Sequence, residues 1–204
     1  MLRTSGELLR YDVEAADGRI GRLTDLLFDD QSWRIEHLVV DTGGFLRHHR
    51  VAISPERIQA CNFEHETIVL DTTRQDVEGG PAPGDLPPSA PGHHRHGIVA
   101  VQDYCVVATD ETLGKVHGVV VETATWTIRY FIVDTGEWLS GKFVLMPLRC
   151  VASIDDGALK VIASVTSDTI RHCPAYDESA ELNREYESFL HKYYDWPPYW
   201  DAPD

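Results

Sequence analysis

The strongest constraint on the fold is a stretch that occurs twice. Residues 33–43 read Trp-Arg-Ile-Glu-His-Leu-Val-Val-Asp-Thr-Gly, and residues 126–136 repeat this pattern at an offset of 93 residues. In both copies an apolar, β-branched run is followed by Asp-Thr-Gly, in which Asp caps a turn and Gly permits a positive φ. The pattern predicts a β-strand that ends in a tight turn, once in each half of the chain.

The same offset aligns most of the two halves without a gap, from residue 11 to residue 82. An ungapped register of this length indicates two homologous units. The identical pairs include Tyr11/Tyr104, Gly21/Gly114, Trp33/Trp126, Asp41/Asp134, Thr42/Thr135, Gly43/Gly136 and Leu46/Leu139.

Within each unit the apolar residues alternate with a period of two, which predicts six short strands. In the first unit we expect them near 9–15, 20–28, 34–41, 50–53, 57–62 and 66–71, with their counterparts 93 residues later. Short helical turns are expected from Thr73 and Ser167, with a hydroxyl residue as N-cap. Because closure removes unpaired edges, the pattern predicts an all-β fold of two small tandem barrels.

The composition of the segments between the strands predicts the domain boundaries. Ten of the nineteen residues in 79–97 are Gly or Pro, which is typical of a linker with little structure of its own. We therefore predict a first barrel at 1–78, a linker at 79–97, a second barrel at 98–174 and a C-terminal segment at 175–204. Each barrel is expected to fold by itself.

The C-terminal segment predicts an amphipathic helix followed by an aromatic tail. Leu182, Tyr186, Phe189, Leu190 and Tyr193 follow the spacing of one helical face. So many aromatic side chains are expected to pack on the barrels of the same chain, or to contact a protein partner or another copy. The candidate partner contacts are Tyr193, Tyr194, Trp196, Tyr199 and Trp200.

The charge and hydropathy of the chain exclude several classes of partner. Its 204 residues carry 33 acidic and 18 basic side chains, a net charge of −15, so nucleic acid is not expected to bind. It lacks a run of about 18 apolar residues, so no membrane insertion is expected. The N-terminus lacks the apolar core of a signal peptide, and a cytoplasmic location is predicted.

Histidine, cysteine and tryptophan residues are the other candidates for a site. Cys61, Cys105, Cys150 and Cys173 fall out of register between the units and are expected to be free thiols. His93, His94 and His96 could bind a transition metal, although a solvated linker is the favoured interpretation, and no metal or cofactor is predicted. Trp33 and Trp126 are expected to close or coat the barrels, with a ligand platform as the alternative.

The chain resembles the PRC-barrel family, named after the cytoplasmic part of the H subunit of photosynthetic reaction centres. Residues that carry the resemblance are Gly21, Asp25, Phe28, Asp29, Trp33, Ile35, Asp41-Thr42-Gly43, Leu46 and Val51 to Pro55. The second unit departs from the pattern at Gly118, Val121 and Pro147-Leu148. The resemblance implies a small β-barrel used for assembly or binding, without shared catalytic residues.

The two Asp-Thr-Gly turns also raise the hypothesis of an aspartic protease, whose carboxylates share one proton. Gly44 and Glu137 follow the turns, where such enzymes use Ala or Ser. We therefore predict no enzymatic activity and favour a non-catalytic protein-binding or assembly module. By family analogy, the alternative is an accessory factor of a photosynthetic or electron-transport membrane complex.

Overall fold

The computed structural model describes residues 1–43, 49–136, 142–178, 180 and 182–201. These residues form two sheets, one in each repeat, together with a C-terminal helix, which confirms a mainly β fold. Leu46 and Leu139 lie outside the described residues.

The elements of the first half confirm all six predicted strands and add short elements before and after them. They are β1 (Leu2–Thr4), α1 (Ser5–Leu8), β2 (Asp12–Ala15), β3 (Gly18–Asp29), β4 (Ile35–Asp41), β5 (Arg50–Ile53), β6 (Ile58–Asn62), β7 (Thr67–Leu70) and α2 (Arg74–Glu78).

The second half repeats this order and ends in a longer helix. Its elements are β8 (Arg95–Gly97), α3 (Ile98–Val101), β9 (Cys105–Val107), β10 (Thr112–Glu122), β11 (Thr127–Asp134), β12 (Phe143–Pro147), β13 (Val151–Asp155), β14 (Lys160–Ala163), α4 (Ser167–Arg171), β15 (Ala175–Tyr176) and α5 (Arg184–Tyr193). Segment 79–97, predicted as a linker with little structure of its own, contains β8 and also a 3₁₀ turn at Pro83–Asp85.

The expectation of closed barrels is wrong. The first sheet pairs in the order β5-β4-β3-β2-β7-β6 and the second in the order β13-β14-β9-β10-β11-β12-β15, and no described pairing joins the two ends of either sheet. The long central strands β3 and β10 are irregular against their neighbours, and each pairs with three strands, one of which comes from the other unit. Each sheet is thus extended by a strand of the other unit, at its central strand, and its own two ends stay apart.

Each unit donates its first strand and helix to the other unit. Strand β1 pairs antiparallel with β10 of the second sheet, and β8 pairs antiparallel with β3 of the first. The two pairings are equivalent under the 93-residue offset, since Leu2 lies opposite Glu122 and Arg95 lies opposite Asp29. We call β1–α1 the N-terminal arm and β8–α3 the linker arm. The predicted boundary at 97/98 falls inside the linker arm, between β8 and α3. The expectation that each barrel folds by itself stays a prediction.

A pseudo-twofold axis relates the two units. Arg34 and Thr127, which are equivalent in the repeat, form an antiparallel bridge with each other. The Ile35 amide donates to the Trp126 carbonyl at 2.7 Å, and the Ile128 amide donates to the Trp33 carbonyl at 2.8 Å. We call this contact the seam. One continuous cluster of buried side chains includes residues of both units, so the core extends across the seam.

The repeated glycine and the repeated Asp-Thr-Gly turn touch each other in both units. A Cβ atom on Gly21 would lie 1.9 Å from the Asp41 carbonyl oxygen, and one on Gly114 would lie 2.0 Å from that of Asp134. Only glycine permits this close approach of adjacent strands. The repeated glycine and the Asp-Thr-Gly turn are far apart in the sequence motif, but in both units they pack directly against each other.

The threonines of the two turns have a role that the sequence analysis did not assign to them. Thr135 is buried at 1% exposure, and both its hydroxyl (2.7 Å) and its amide (3.1 Å) donate to the Lys142 carbonyl. Thr42 makes the same two bonds to the His49 carbonyl, at 3.1 and 2.8 Å. Thr135 therefore fastens the end of β11 to the residue just before β12. A side chain buried in this way is structural and is not available to a ligand or partner.

Short helices follow β7 and β14, as predicted. Thr73 is the N-cap of α2, and its hydroxyl accepts a hydrogen bond from the Asp76 amide. In the second unit the N-cap is Thr166, one residue before the expected start, and Ser167 is already helical. Instead, the Ser167 amide donates to Asp110 at 2.7 Å and the Ser167 hydroxyl donates to Glu111 at 2.7 Å, which ties α4 to the turn before β10.

The C-terminal segment packs on the second unit of its own chain. Leu190 is completely buried, and Tyr194 and Glu187 are also buried, so the inner face of α5 has the spacing 187, 190 and 194. The predicted face was correct at Leu190 and wrong at Phe189, which is 57% exposed. A period of 3.6 places Phe189 and Leu190 about 100° apart, and only one of them can point directly at the sheet.

Candidate binding groove at the seam

The repeated tryptophans lie on the seam because of an unusual backbone conformation. Trp33 and Trp126 have φ angles of 58° and 49°, in the left-handed region that bulky residues rarely adopt. This conformation turns the chain between β3 and β4, and between β10 and β11, so that the carbonyl groups of both tryptophans accept hydrogen bonds from the opposite unit. The backbone strain is therefore located where the two units meet.

The side chains of the two tryptophans pack in this region as well. Trp33 stacks on Phe28 of its own unit, with ring centroids 6.0 Å apart, and meets the edge of Phe131 from the second unit at 5.8 Å. Trp126 is 8% exposed. These contacts correspond to the predicted packing role, with the addition that the packing joins two units.

A groove follows the seam on the side of the first unit. A cleft of about 400 Å³ is lined by Arg34, Glu36, Ser54 and Trp126. A second cleft of about 460 Å³ is lined by Ile58, Cys61 and Phe63 beside Met1 of the N-terminal arm. We call the two clefts together the seam groove, because both are lined by Pro55, Glu56, Ala124 and Trp126.

Charged side chains of both signs border the seam groove. Arg95 of the linker arm donates to Glu36 at 2.8 Å, so this carboxylate is already paired. Among the described residues, Arg34 and Glu56 form no ion pair, and both are exposed. The lining of the groove is mixed: polar side chains such as Ser54 and Thr125 alternate with apolar ones such as Phe63. Arg34 and Glu56 add one available charge of each sign.

The thiol that lines the groove is not activated. Cys61 is half-buried, and burial raises the pKa of its thiol above the ordinary value. A nucleophilic cysteine needs a lowered pKa, because the thiolate is the reactive form. All four cysteines are free, and burial raises the pKa of Cys150 to about 12 and that of Cys173 to about 11.

The two Asp-Thr-Gly aspartates act as turn caps far from each other. Asp41 accepts a hydrogen bond from the Gly43 amide at 3.0 Å, and Asp134 accepts one from the Gly136 amide at 2.8 Å. Strands β4 and β11 leave the seam in opposite directions, and each aspartate follows after seven residues, roughly 20 Å along its strand. This separation is unlike the shared-proton pair of an aspartic protease.

A buried polar cluster, which the sequence analysis missed, fastens α5 to the second sheet. Glu187 is 2% exposed and accepts hydrogen bonds from the hydroxyls of Tyr130 at 3.1 Å and Tyr199 at 2.8 Å. His191 Nε2 lies 3.2 Å from the Tyr130 hydroxyl, and Arg184 pairs with Glu187 at 3.2 Å.

The environment of this cluster keeps its phenols protonated. Burial raises the pKa of Tyr130, and the negative charge of Glu187 raises it further. The pKa of Tyr199 is raised for the same reasons, and burial lowers the pKa of His191. Protonated phenols around a carboxylate form a stable hydrogen-bonded anchor and offer no phenolate nucleophile.

The aromatic tail predicted as a partner contact packs against its own chain. Tyr194 stacks on Trp196 at 5.3 Å, and the Tyr193 hydroxyl donates to the Thr169 carbonyl at 2.6 Å. Arg129 lies over the Tyr199 ring at 4.1 Å, and Arg184 lies over Trp200 at 3.9 Å. The tail docks in cis, and its contact with a partner stays a prediction.

The linker histidines are docked on aspartates, contrary to the expectation of a solvated linker. His93 pairs with Asp29 at 2.8 Å and His94 with Asp30 at 3.2 Å, while His96 is buried. In the described part of the chain, no group of three histidine, cysteine or acidic side chains is arranged to hold a metal ion. Within the same residues, no helix has the length and apolar character needed to cross a membrane.

Comparison with known proteins adds a family and one relative. The family model described as PRC-barrel domain matches residues 4–77 and again residues 100–181, which together are most of the chain. An uncharacterised protein of Deinococcus radiodurans is 36% identical over 66 residues, covering 32% of this chain and 23% of that protein. The match thus spans less than a quarter of the relative's length.

Proposed function

The chain belongs to the PRC-barrel family through both of its repeats, and on this premise we propose that it is a non-catalytic protein-binding or assembly module. The observation that carries the proposal is the seam groove, with its mixed polar and apolar lining and the available charges of Arg34 and Glu56. The two walls of this groove come from different units. Since the exchanged arms connect these units, they hold the walls in a fixed relation.

The bound segment is expected to be extended and to carry a carboxylate that reaches Arg34. A hydrogen bond between charged groups contributes about 1.5–3 kcal/mol, so reversing the charge of Arg34 is expected to weaken binding at least tenfold. The raised thiol pKa of Cys61 and the separation of Asp41 from Asp134 support binding over catalysis.

Affinity capture from the native source tests this function with two matched charge reversals. The full chain, Arg34→Glu and Lys160→Glu are immobilised, and retained proteins are quantified by mass spectrometry. Lys160 is an exposed cation on β14 outside the groove. We expect partners that wild type and Lys160→Glu retain equally and that Arg34→Glu loses at least tenfold.

Equal retention by all three proteins would exclude the seam groove as the binding site. Subunits of a photosynthetic or electron-transport membrane complex among the lost proteins would favour the accessory-factor alternative. A peptidase activity that disappears in Asp41→Asn would contradict a non-catalytic role.

A further inference from the structure

The two exchanged arms meet their sheets through different pairs of residues. On the first sheet, β3 presents Asp25 to Gly97 of the linker arm, and on the second sheet, β10 presents Gly118 to Ser5 of the N-terminal arm. Asp25 and Gly118 are equivalent under the 93-residue offset, so the side chain belongs to the sheet in one unit and to the arm in the other. We call the pairs Asp25–Gly97 and Ser5–Gly118 the two keys.

The first key leaves no room for a side chain at the end of β8. A Cβ atom on Gly97 would lie 2.5 Å from Asp25 Oδ2. The carboxylate cannot turn away without losing hydrogen bonds from the Leu26 amide at 2.8 Å and from the Val99 amide of α3 at 3.0 Å. The φ of Gly97 is −86°, which any residue can adopt, so glycine is required here by the carboxylate and not by the backbone.

The second key reverses this arrangement. Ser5, the first residue of α1, is completely buried, and its hydroxyl accepts a hydrogen bond from the Val119 amide of β10 at 3.1 Å. A Cβ atom on Gly118 would lie 2.7 Å from Ser5 Oγ. A side chain at Gly118 would therefore push the hydroxyl aside and leave a buried amide without its acceptor.

Each arm fits the sheet of the other unit and does not fit the sheet of its own unit. On β3, the N-terminal arm would place Thr4 at the position of Gly97, and its Cβ would meet the Asp25 carboxylate. On β10, the linker arm would place Ile98 at the position of Ser5, and its apolar side chain would leave the β10 amide without an acceptor. Both mismatches arise whether an arm folds back on its own unit or pairs with the same unit of a second copy.

We propose that the two keys select the partner of each arm. Strand β3 accepts only an arm with glycine at the end of its strand, and β10 accepts only an arm with a small hydroxyl residue at the start of its helix. The keys thus direct each arm to the unlike unit and prevent two like units from pairing through their arms. A specific surface of this kind combines a favourable contact with the right arm and a clash with the wrong one. The selection does not depend on the seam groove.

Double-mutant cycles in the full chain test both keys by urea unfolding. Gly97→Ala should raise the unfolding constant about tenfold, because it displaces a charged hydrogen-bond acceptor. Gly118→Ala should raise it about as much, because it deprives a buried amide of its acceptor. In an Asp25→Ala background, the effect of Gly97→Ala should fall below about threefold, and Ser5→Ala should relieve Gly118→Ala in the same way.

Crossing the two backgrounds provides a control for these cycles. Gly97→Ala should keep its full effect in a Ser5→Ala background, since the two keys lie on different sheets and share no partner. Gly6→Ala, which also changes an arm, adds a Cβ whose nearest neighbour is Thr4 Oγ1 at 3.9 Å. This variant should not raise the unfolding constant, because the added atom displaces nothing.

A reversed variant tests whether the keys choose the partner or only stabilise the contact. Asp25→Gly combined with Gly118→Asp makes each arm fit its own type of unit. When the full chain is cleaved between residues 90 and 91, the dissociation constant of the resulting 1:1 complex should rise about a hundredfold, the product of about tenfold for each key. Exchanging the arm residues as well should restore the complex. These further changes are Thr4→Gly, Ser5→Ile, Gly97→Thr and Ile98→Ser.

Two results would overturn the proposal. Additive effects in the cycles would mean that the paired residues do not act on each other. A reversed variant that keeps the dissociation constant of the wild type would mean that the contacts do not select the arm. The same conclusion would follow if affinity were lost and did not return when the arm residues are exchanged. If the reversed variant does not fold, the cycles in the full chain decide.

Discussion

Replacing Gly21 or Gly114 by alanine is expected to destabilise the protein by about 3 kcal/mol or more. The added Cβ would overlap a carbonyl oxygen of the adjacent strand at 1.9 Å in the first unit and 2.0 Å in the second. The obstacle is backbone, so no side-chain rotation relieves it, and β3 must move away from β4, or β10 from β11. Gly114 also has a φ of 155°, a conformation that favours glycine, so Gly114→Ala should lose at least as much stability as Gly21→Ala.

Urea unfolding followed by circular dichroism measures this loss. The control is Gly84→Ala, since a Cβ on Gly84 meets no atom within 4 Å. It should change the free energy of unfolding by no more than about 0.5 kcal/mol. Retention of wild-type stability by both Gly21→Ala and Gly114→Ala would mean that the strands do not approach as closely as described.

Deletion of residues 177–204 is expected to lower stability strongly without changing the oligomeric state. The deletion removes Leu190 and Tyr194, each worth about 1.5–3 kcal/mol of burial, which predicts a loss of about 3–6 kcal/mol. It also uncovers Tyr130 and Cys173, both 1% exposed in the intact chain. Thermal unfolding and light scattering together measure stability and mass.

A matched pair of substitutions on α5 checks the docking without a deletion. Leu190→Ala should cost about 2–5 kcal/mol, because its side chain is completely buried. Phe189→Ala should cost less than about 0.5 kcal/mol, because its side chain faces solvent. A wild type that is dimeric, with monomers released by the deletion, would instead mean that the tail docks in trans.

Strand positions could be predicted from the sequence because the information is local. Alternating apolar residues place β4 and β11, and the Asp-Thr-Gly turn marks where each strand ends. The 93-residue offset then transfers each assignment from one unit to the other. The offset also shows that Gly21 and Gly114 are equivalent. Glycine is required at both positions by a contact between adjacent strands, and periodicity does not reveal such a contact. The burial of Thr135 could not be predicted from local periodicity either, because its hydroxyl bonds to the Lys142 carbonyl, which lies beyond the turn.

The exchanged arms could not be predicted in the same way. Strands β1 and β8 have three residues each, and α1 and α3 have four, which is too short to establish a period. Their pairing also joins residues more than sixty positions apart, as between β8 and β3. The Gly/Pro content of 79–97 correctly indicated irregular backbone, but it gave no sign that His96 would be buried.

The seam groove and the buried polar cluster around Glu187 could not be predicted from the sequence either, because both depend on how distant segments pack together. Trp33 and Trp126 stand out as a repeated pair, but their position on a pseudo-twofold axis depends on how the units dock. The repeat offered one signal for this contact between the units. Equivalent residues that lie near a pseudo-twofold axis contact each other, as Arg34 and Thr127 do. Glu187 reads as one more acidic residue of a solvated face, and only docking against Tyr130 buries it.

The exchange of arms is tested most directly by cutting the chain between the units. A specific protease site inserted between Ala90 and Pro91, in an exposed part of segment 79–97, leaves the linker arm on the second fragment. After cleavage we expect both fragments to elute together as a 1:1 complex with the mass of the full chain. They should unfold in one transition whose midpoint rises with protein concentration, since folding has become bimolecular. Separation into two folded monomers at micromolar concentration would contradict the exchange.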